Sequence, residues 1–394
     1  MSKTSWQMLV SKRIEMTMEI VVGEKIVVKS EVLGEDRIVL VRYPKNYNDS
    51  NKKYPVLYLL DAEFFFYQAI AAVEFLSECG YISPKPIPEM IVIGIVNVDR
   101  NRDYTPTFAP KQREVLEFPT SGKAEKFIEF LKMELIPLVE KKYRTHPFRI
   151  LAGWSLGGLL TIHSFLYHPD LFSAYLAISP SLWWDEDLYV KRTKSLLAQR
   201  KVSDKPLITT IGSEEGGDIG RSVRDGFIPL FTSHSKKSSN FKAVELPLEN
   251  HTFGPYRALY EGMKAFYSDD IISQEIIDKG LDAVNSFYEN LSKKYGYEVL
   301  IPESTYSQVA SSMYRQGKES QALEIAKTYV QEYPESSYAH YYVGTRYLRA
   351  QLIELATESV EKALEIELNR FVPDSEKIFA YNLRMQEIRS NSST

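Results

Sequence analysis

Arg149-Ile150-Leu151-Ala152-Gly153-Trp154-Ser155-Leu156-Gly157-Gly158 passes from a short apolar run, Arg149–Ala152, through a serine flanked by glycines into the helical pattern Leu156–His168. A serine between a buried strand and a helix must sit on a strained turn. The flanking glycines are required because side chains there would collide with the strand or the helix. Such a turn lifts the hydroxyl above the sheet edge, and the helix N-terminus presents backbone N–H groups to a developing oxyanion. Ser155 is therefore the expected nucleophile, and the N–H of Leu156 the expected first oxyanion donor.

The surrounding sequence supplies a sheet for this turn. Segments 18–31 and 37–43 alternate apolar and polar residues, as half-exposed antiparallel strands do. Val56–Leu60, Met90–Val96, Ala174–Ile178 and Leu207–Ile211 are continuous apolar runs, the mark of strands buried on both faces of a mainly parallel sheet. Helical patterns such as Glu125–Lys142 separate them, so the expected class is α/β, with helices covering both faces of a mainly parallel central sheet.

A serine hydroxyl is a weak nucleophile without a base. In the α/β-hydrolase fold the chain order is Ser, acid, His, and this order sifts the six histidines. His146 precedes the turn, His163 and His168 lie on the helix behind it, and His340 lies in a later helical region. His234 ends an amphipathic helix, a solvated or C-capping position. His251 remains, in the loop Glu249-Asn250-His251-Thr252 between strand Phe241–Leu246 and a helix beginning near Gly254. The orienting acid should follow Leu207–Ile211, where the chain reads Gly212-Ser213-Glu214-Glu215-Gly216-Gly217-Asp218. Glu214 and Glu215 both qualify, and Asp185, beyond the strand ending at Ile178, is a further candidate. The second oxyanion donor should come from Leu59-Leu60-Asp61-Ala62-Glu63: the N–H of Glu63 first, that of Ala62 next.

From about Ile272 the pattern is helical only. Ile277, Leu281, Val284, Tyr288 and Leu291 recur at helical spacing, as a connector over 271–302 would. Over 303–394 a 34-residue self-similarity sets Ala310, Gly317, Ala322, Ala326 and Pro334 against Gly344, Tyr347, Ala356 and Ala363. Small residues belong where paired helices approach closely, and 34 is the tetratricopeptide period. Leu368 stands where the second unit would end in proline. Two units fall short of the usual three, so a final helix near 374–389 should cap them, or they pack on the catalytic region (1–270) or on another subunit. They are expected to act as a lid, a homodimer contact or a partner-binding surface.

The 394 residues suit two domains, and the net charge of −4 with no long basic run gives nucleic-acid binding no electrostatic support. The single Cys79 excludes an internal disulfide and reads as a small buried hydrophobe. Residues 1–13 lack the apolar core of a signal peptide, and no apolar run is long enough to span a bilayer. The chain thus reads as soluble and cytoplasmic. There is no H-E-x-x-H, paired C-x-x-C, Walker loop or dinucleotide fingerprint, so neither metal nor cofactor is expected. The 26 Tyr and 19 Phe suit either large cores or an aromatic-lined pocket.

Several segments resemble the enterochelin-esterase-like serine hydrolases. Leu59-Leu60-Asp61-Ala62 is similar to their oxyanion-loop segment, with Ala62 where glycine is usual. Arg100-Asn101-Arg102-Asp103-Tyr104-Thr105-Pro106, Ser179-Pro180-Ser181-Leu182-Trp183-Trp184 and Asn250-His251 resemble further family segments. The resemblance covers roughly 15–270 and implies ester hydrolysis with Glu215 as the acid; some members also carry tetratricopeptide-like C-termini. It leaves the small-molecule ester open: relatives act on siderophore, feruloyl or acetyl esters or S-formylglutathione, or transfer acyl groups. Trp154 stands where relatives often have histidine, which reshapes the pocket. Arg100 and Arg102 suit an anionic or catecholate substrate, or else ion pairs with Asp99 or Asp103. Trp183 and Trp184 suit a flat apolar wall for the acyl group, or else core packing. A non-catalytic scaffold built around the helical repeats is the alternative of another class.

Overall fold

The computed structural model describes residues 21–45, 47–49, 51–78, 85–112, 116–232, 240–370 and 372–391. Cys79, His234 and the first three residues of segment 18–31 lie outside that set, and so do the sequence expectations that concern them.

Eight strands form the main sheet: β1 (Glu24–Ser30), β2 (Glu35–Arg42), β3 (Tyr54–Leu59), β4 (Ile91–Ile95), β5 (Thr145–Trp154), β6 (Ala174–Ile178), β7 (Leu207–Gly212) and β8 (Phe241–Leu246). Their spatial order is β1-β2-β4-β3-β5-β6-β7-β8. β1 pairs antiparallel to β2, and β2 antiparallel to β4; every other pairing is parallel. β3, β4, β6 and β7 are buried along their whole length, whereas β1 alternates. The continuous and the alternating sequence patterns record this difference directly. β5 starts four residues before the apolar run that signals it, because Thr145 pairs with Tyr54. The register then slips between Tyr54 and Val56, at Pro55, which has no N–H to give to the ladder.

Helices cover both faces. Helix Leu156–Tyr167, directly behind the serine turn, is buried from Leu156 to Leu166. The pattern Glu125–Lys142 is one helical run in three parts: Ala124–Phe130, a wider π-turn at Leu131–Leu135, and Ile136–Lys142. Pro137 sits at the start of the third part, where its missing N–H breaks the regular ladder.

The C-terminal region is helical throughout. Gln274–Asp278 and Leu281–Tyr295 are separated at Gly280, whose φ of 99° ends one helix before the next begins. Two helical hairpins follow, Glu303–Arg315 with Glu319–Glu332 and Ser337–Arg349 with Ile353–Leu368. Corresponding helices start 34 residues apart. Ala310, Ala322, Ala326, Ala356 and Ala363 are all buried, and a Cβ on Gly344 would come within 2.7 Å of Val360. Helix Ser375–Asn391 closes the stack, burying Tyr381, Met385 and Ile388 against Ala356, Val360 and Ala363. No helix of the described residues is long and apolar enough to cross a membrane.

The helical region is docked on the sheet region by aromatic side chains. Tyr297 stacks on His146 at 3.7 Å, and Tyr295 meets Phe148 edge-on at 4.9 Å. Lys294 pairs with Asp270 at 2.7 Å. One apolar cluster runs from Leu57 through Phe266 and Tyr288 to Val343. A chain ended after residue 270 would expose Phe148, Phe266 and Tyr267, each worth about 1.5–3 kcal/mol when buried. Its melting temperature should fall below that of the full chain by at least several degrees, with increased binding of a hydrophobic dye. An unchanged melting temperature would show that the two regions fold independently.

Candidate active site

Ser155 lies between β5 and helix Leu156–Tyr167 at φ 57° and ψ −113°, a backbone conformation costly for any residue with a Cβ. Glycine at 153 is required because a Cβ there would lie 2.4 Å from the Gly157 carbonyl oxygen. At Gly158 a Cβ would lie 2.9 Å from the Pro180 backbone. The turn is pinned from the next strand: the Ser155 N–H donates to the Ile178 carbonyl and the Ser181 N–H to the Ser155 carbonyl, each at 3.0 Å.

The Ser155 hydroxyl lies 3.0 Å from His251 Nε2, and His251 Nδ1 lies 2.9 Å from Glu215 Oε2. A carboxylate can only accept, so the imidazole proton sits on Nδ1 and Nε2 is left to accept from the serine. Of the three candidate acids, Glu215 is the one that meets His251. Glu214 is exposed on the same turn, and Asp185 accepts from Thr107 Oγ1 at 2.7 Å. Glu215 is 4 % exposed and also accepts from Ser179 Oγ at 2.6 Å and the Gly212 N–H at 2.8 Å. Burial acts to raise its pKa, but the bonds from His251, Ser179 and Gly212 outweigh it and leave Glu215 below its ordinary value.

The histidine loop is tied on both sides. Asn250 Oδ1 accepts from the N–H groups of Thr252 and Phe253, and the Glu214 N–H donates to the Glu249 carbonyl. Trp154 reaches across from the serine turn: its indole N–H donates to the His251 carbonyl at 3.1 Å, and its ring lies 4.9 Å from the imidazole. Among the predicted pocket residues, Trp154 is thus a direct neighbour of the histidine.

The two expected oxyanion donors, Leu156 and Glu63, are both at helix N-termini, where first-turn N–H groups have no carbonyl a turn earlier. The Glu63 carboxylate is turned aside, accepting from Asn97 Nδ2 at 2.7 Å, and Ala62 is buried. Arg100 holds Asp61 through two bonds, 2.6 and 2.9 Å, and donates to the Trp154 carbonyl at 3.0 Å. Its partner is therefore Asp61 rather than Asp99 or Asp103. Arg102 is engaged by Asp103 at 2.7 Å and by Glu35, so it shapes the loop and has no guanidinium nitrogen aimed at a substrate carboxylate by these contacts. Trp184 is fully buried and donates to Thr107, which makes it a core side chain and not a wall open to substrate. Trp183 is half-buried, 6.0 Å from Trp184.

Two contacts have no counterpart among the residues the sequence singled out for chemistry. Ser181 Oγ lies 3.0 Å from Ser155 Oγ, and Arg224 donates to the carbonyls of Gly212 and Glu215 at 2.7 and 3.0 Å. The signal for Ser181 was present in the segment Ser179-Pro180-Ser181, whose two hydroxyls meet Glu215 and Ser155 respectively. Arg224 carries no local signal, because its targets are backbone atoms.

The model of the family Esterase, described as "Putative esterase", matches residues 30–247, more than half of the chain. Ferri-bacillibactin esterase BesA of Bacillus subtilis is 33 % identical over 175 residues. That match takes in 41 % of this chain and 60 % of the relative, less than two thirds of its length. The crystal structure of an IroE-like serine hydrolase from Shewanella oneidensis superposes with a TM-score of 0.65 at 28 % identity, covering 79 % of this chain and 99 % of that one. An uncharacterised protein from Capnocytophaga ochracea shares the fold over 93 % of this chain and 99 % of its own, with a TM-score of 0.61 at 14 % identity.

Two outcomes check this geometry. Gly153→Ala should destabilise the chain by about 1–3 kcal/mol in urea unfolding, since backbone must move to admit the methyl group. Because Glu215 titrates below its unfolded value, its contribution is complete above about pH 4.5 and is lost as the pH falls through the folded value. Glu215→Gln should therefore unfold more easily than wild type near neutrality, and the difference should narrow on acidification below that range.

Proposed function

The chain belongs to the Esterase family, and from that premise we propose that it hydrolyses a carboxylic ester through an acyl-enzyme on Ser155, with His251 as base and then acid and Glu215 as the orienting carboxylate. The observation that carries this reading is the unbroken series Ser155 Oγ, His251 Nε2, His251 Nδ1, Glu215 Oε2, with separations of 3.0 and 2.9 Å. As Ser155 attacks the ester carbonyl, His251 takes its proton, and Glu215 stabilises the imidazolium without itself being protonated. The oxyanion forms beside the N–H groups of Leu156 and Glu63. The imidazolium then protonates the leaving alcohol, and a water activated by the same histidine releases the acid.

The proposed substrate is an ester of the siderophore type, with aromatic or bulky acyl arms. Support comes from the activity named for the Bacillus subtilis relative and from the surface near the site. Phe64 and Tyr67, on the helix that begins at Ala62, are 60 % and 68 % exposed. Phe253 and Tyr256, just beyond His251, are 75 % and 56 % exposed. Exposed aromatics on the two segments that carry Glu63 and His251 suit a substrate that presents flat apolar groups. In the same reading 1–270 is the catalytic region, 271–302 the connector and 303–394 a tetratricopeptide-like support or contact region.

Ser155→Ala should lower turnover of p-nitrophenyl butyrate by several orders of magnitude, as loss of a triad nucleophile does. Equal turnover by the two proteins would overturn the assignment. Trp154→Phe keeps the ring beside the imidazole but removes its hydrogen bond to the His251 carbonyl. It should lower kcat/KM about five- to tenfold, mainly through kcat, with little change in melting temperature. A change confined to KM would assign Trp154 to substrate binding instead.

A further inference from the structure

Glu125, His163 and His168 come together at the end of helix Leu156–Tyr167 opposite Ser155. With about 1.5 Å of rise per residue, His163 lies about 12 Å beyond Ser155 along that helix, and His168, just past its end, about 20 Å. One potential ligand atom from each of the three side chains lies within 4.8 Å of the others. His163 Nε2 is 3.0 Å from Glu125 Oε1, and His168 Nε2 is 2.9 Å from Glu125 Oε2.

A plain hydrogen-bonded cluster would satisfy all three side chains, and this one does not. His163 is 3 % exposed, and its Nε2 faces the Glu125 carboxylate at 3.0 Å in a contact without full hydrogen-bond alignment. A buried nitrogen with so poorly aligned a partner is open to a better one. The opposite ring nitrogen, Nδ1, is held by the buried Tyr189 hydroxyl. That contact fixes the ring, and in the tautomer whose Nδ1–H donates to the Tyr189 oxygen Nε2 keeps its lone pair, the arrangement metal-ligating histidines have.

We propose that Glu125, His163 and His168 form a binding site for a divalent transition cation of the zinc class. Two imidazoles and one carboxylate are a donor set that Zn²⁺ accepts, with a fourth position for water. That position opens on a cavity of about 540 Å³ lined in part by Glu125, Glu129 and His168. Glu125 and Glu129 together match the charges of Lys126 and Lys132 on the same wall. Bonds of about 2.0–2.2 Å hold tetrahedral donors about 3.3 Å apart, so binding would draw the three ligand atoms, which lie within 4.8 Å of one another, closer together. The ion would tie the helix Ala124–Phe130 to the far end of the helix that carries the nucleophile. It supports the fold and takes no part in ester chemistry. Motif reading misses the site because one ligand is 38 residues before the next.

The test is titration of chelator-treated full-length protein with zinc sulfate by calorimetry, with cobalt absorption as a spectroscopic check. Wild type should bind one ion per chain, give the intense visible bands of tetrahedral cobalt, and melt at a higher temperature with zinc. Glu125→Gln and His168→Ala change accessible side chains and should fold normally, hydrolyse p-nitrophenyl butyrate as wild type does, and bind zinc at least about tenfold more weakly. Tyr189→Phe should weaken binding less. Absence of saturable binding to wild type, or binding unaltered in both ligand variants, overturns the proposal. Loss of ester hydrolysis in Ser155→Ala with zinc binding retained would keep the two assignments separate.

Discussion

A serine at φ 57° between a buried strand and a buried helix depends on everything around it. A side-chain-bearing residue in that conformation costs of order 1–3 kcal/mol, which surrounding contacts must exceed if one geometry is to persist. Here the contacts come from three directions. The Ile178 carbonyl and the Ser181 N–H hold the Ser155 backbone from β6 and the loop after it. Arg100 holds the carbonyl of the residue before it. The glycines at 153 and 158 let strand and helix approach closer than any methyl group would allow. The strain is useful because a turn with one permitted shape fixes where the hydroxyl points.

The same economy governs the charges. Glu215 and Asp61 are both nearly removed from water, and an isolated buried carboxylate would be neutralised. Each instead has a fixed set of donors. Glu215 has His251, Ser179 and the Gly212 N–H; Asp61 has Arg100 and Asn97. For Asp61 burial still pushes the pKa up despite the arginine. The two carboxylates brace different sides of one turn: Glu215 orients the histidine, and Asp61 anchors the arginine that holds the Trp154 carbonyl. Trp154 closes the circuit by donating to the His251 carbonyl. Ser155 and His251 are therefore positioned by each other's supports as well as by their own strands.

Most of this was legible in the sequence where the physics is local. Strand burial follows apolar runs, and the elbow follows glycine spacing, so the sheet and Ser155 could be read directly. Chain order removes His146, and His251 is favoured over the rest because it alone stands in a short loop between a strand and a helix downstream of the acid. What stayed hidden was choice among chemically equal neighbours and contact across distance. Glu214 and Glu215 differ only in which way a turn directs them. Arg100 has Asp99 and Asp103 as near neighbours in the sequence, yet the aspartate it holds is 39 residues back, just beyond β3. Trp183 and Trp184 are adjacent, yet one is half-buried and the other enclosed, because a helix begins between them. Such differences depend on tertiary packing that no short window contains.

The aromatic excess illustrates how a compositional signal divides once the fold is known. Large cores and an aromatic pocket were equal readings of 26 tyrosines. Many of the rings in fact form seams. Tyr295 and Tyr297 cover Phe148 and His146, joining helices to sheet. Tyr306 stacks on Tyr329 within the first hairpin, and Tyr329 meets Tyr342 of the second. Tyrosine suits a seam because its ring buries apolar area while its hydroxyl finds a partner, as Tyr329 does on Glu303 and Tyr342 on the Ser307 carbonyl. Two helical hairpins alone bury too little to be stable. A tyrosine-rich seam lets them share a core with the sheet region, so the short repeat is sustained by the domain it adjoins.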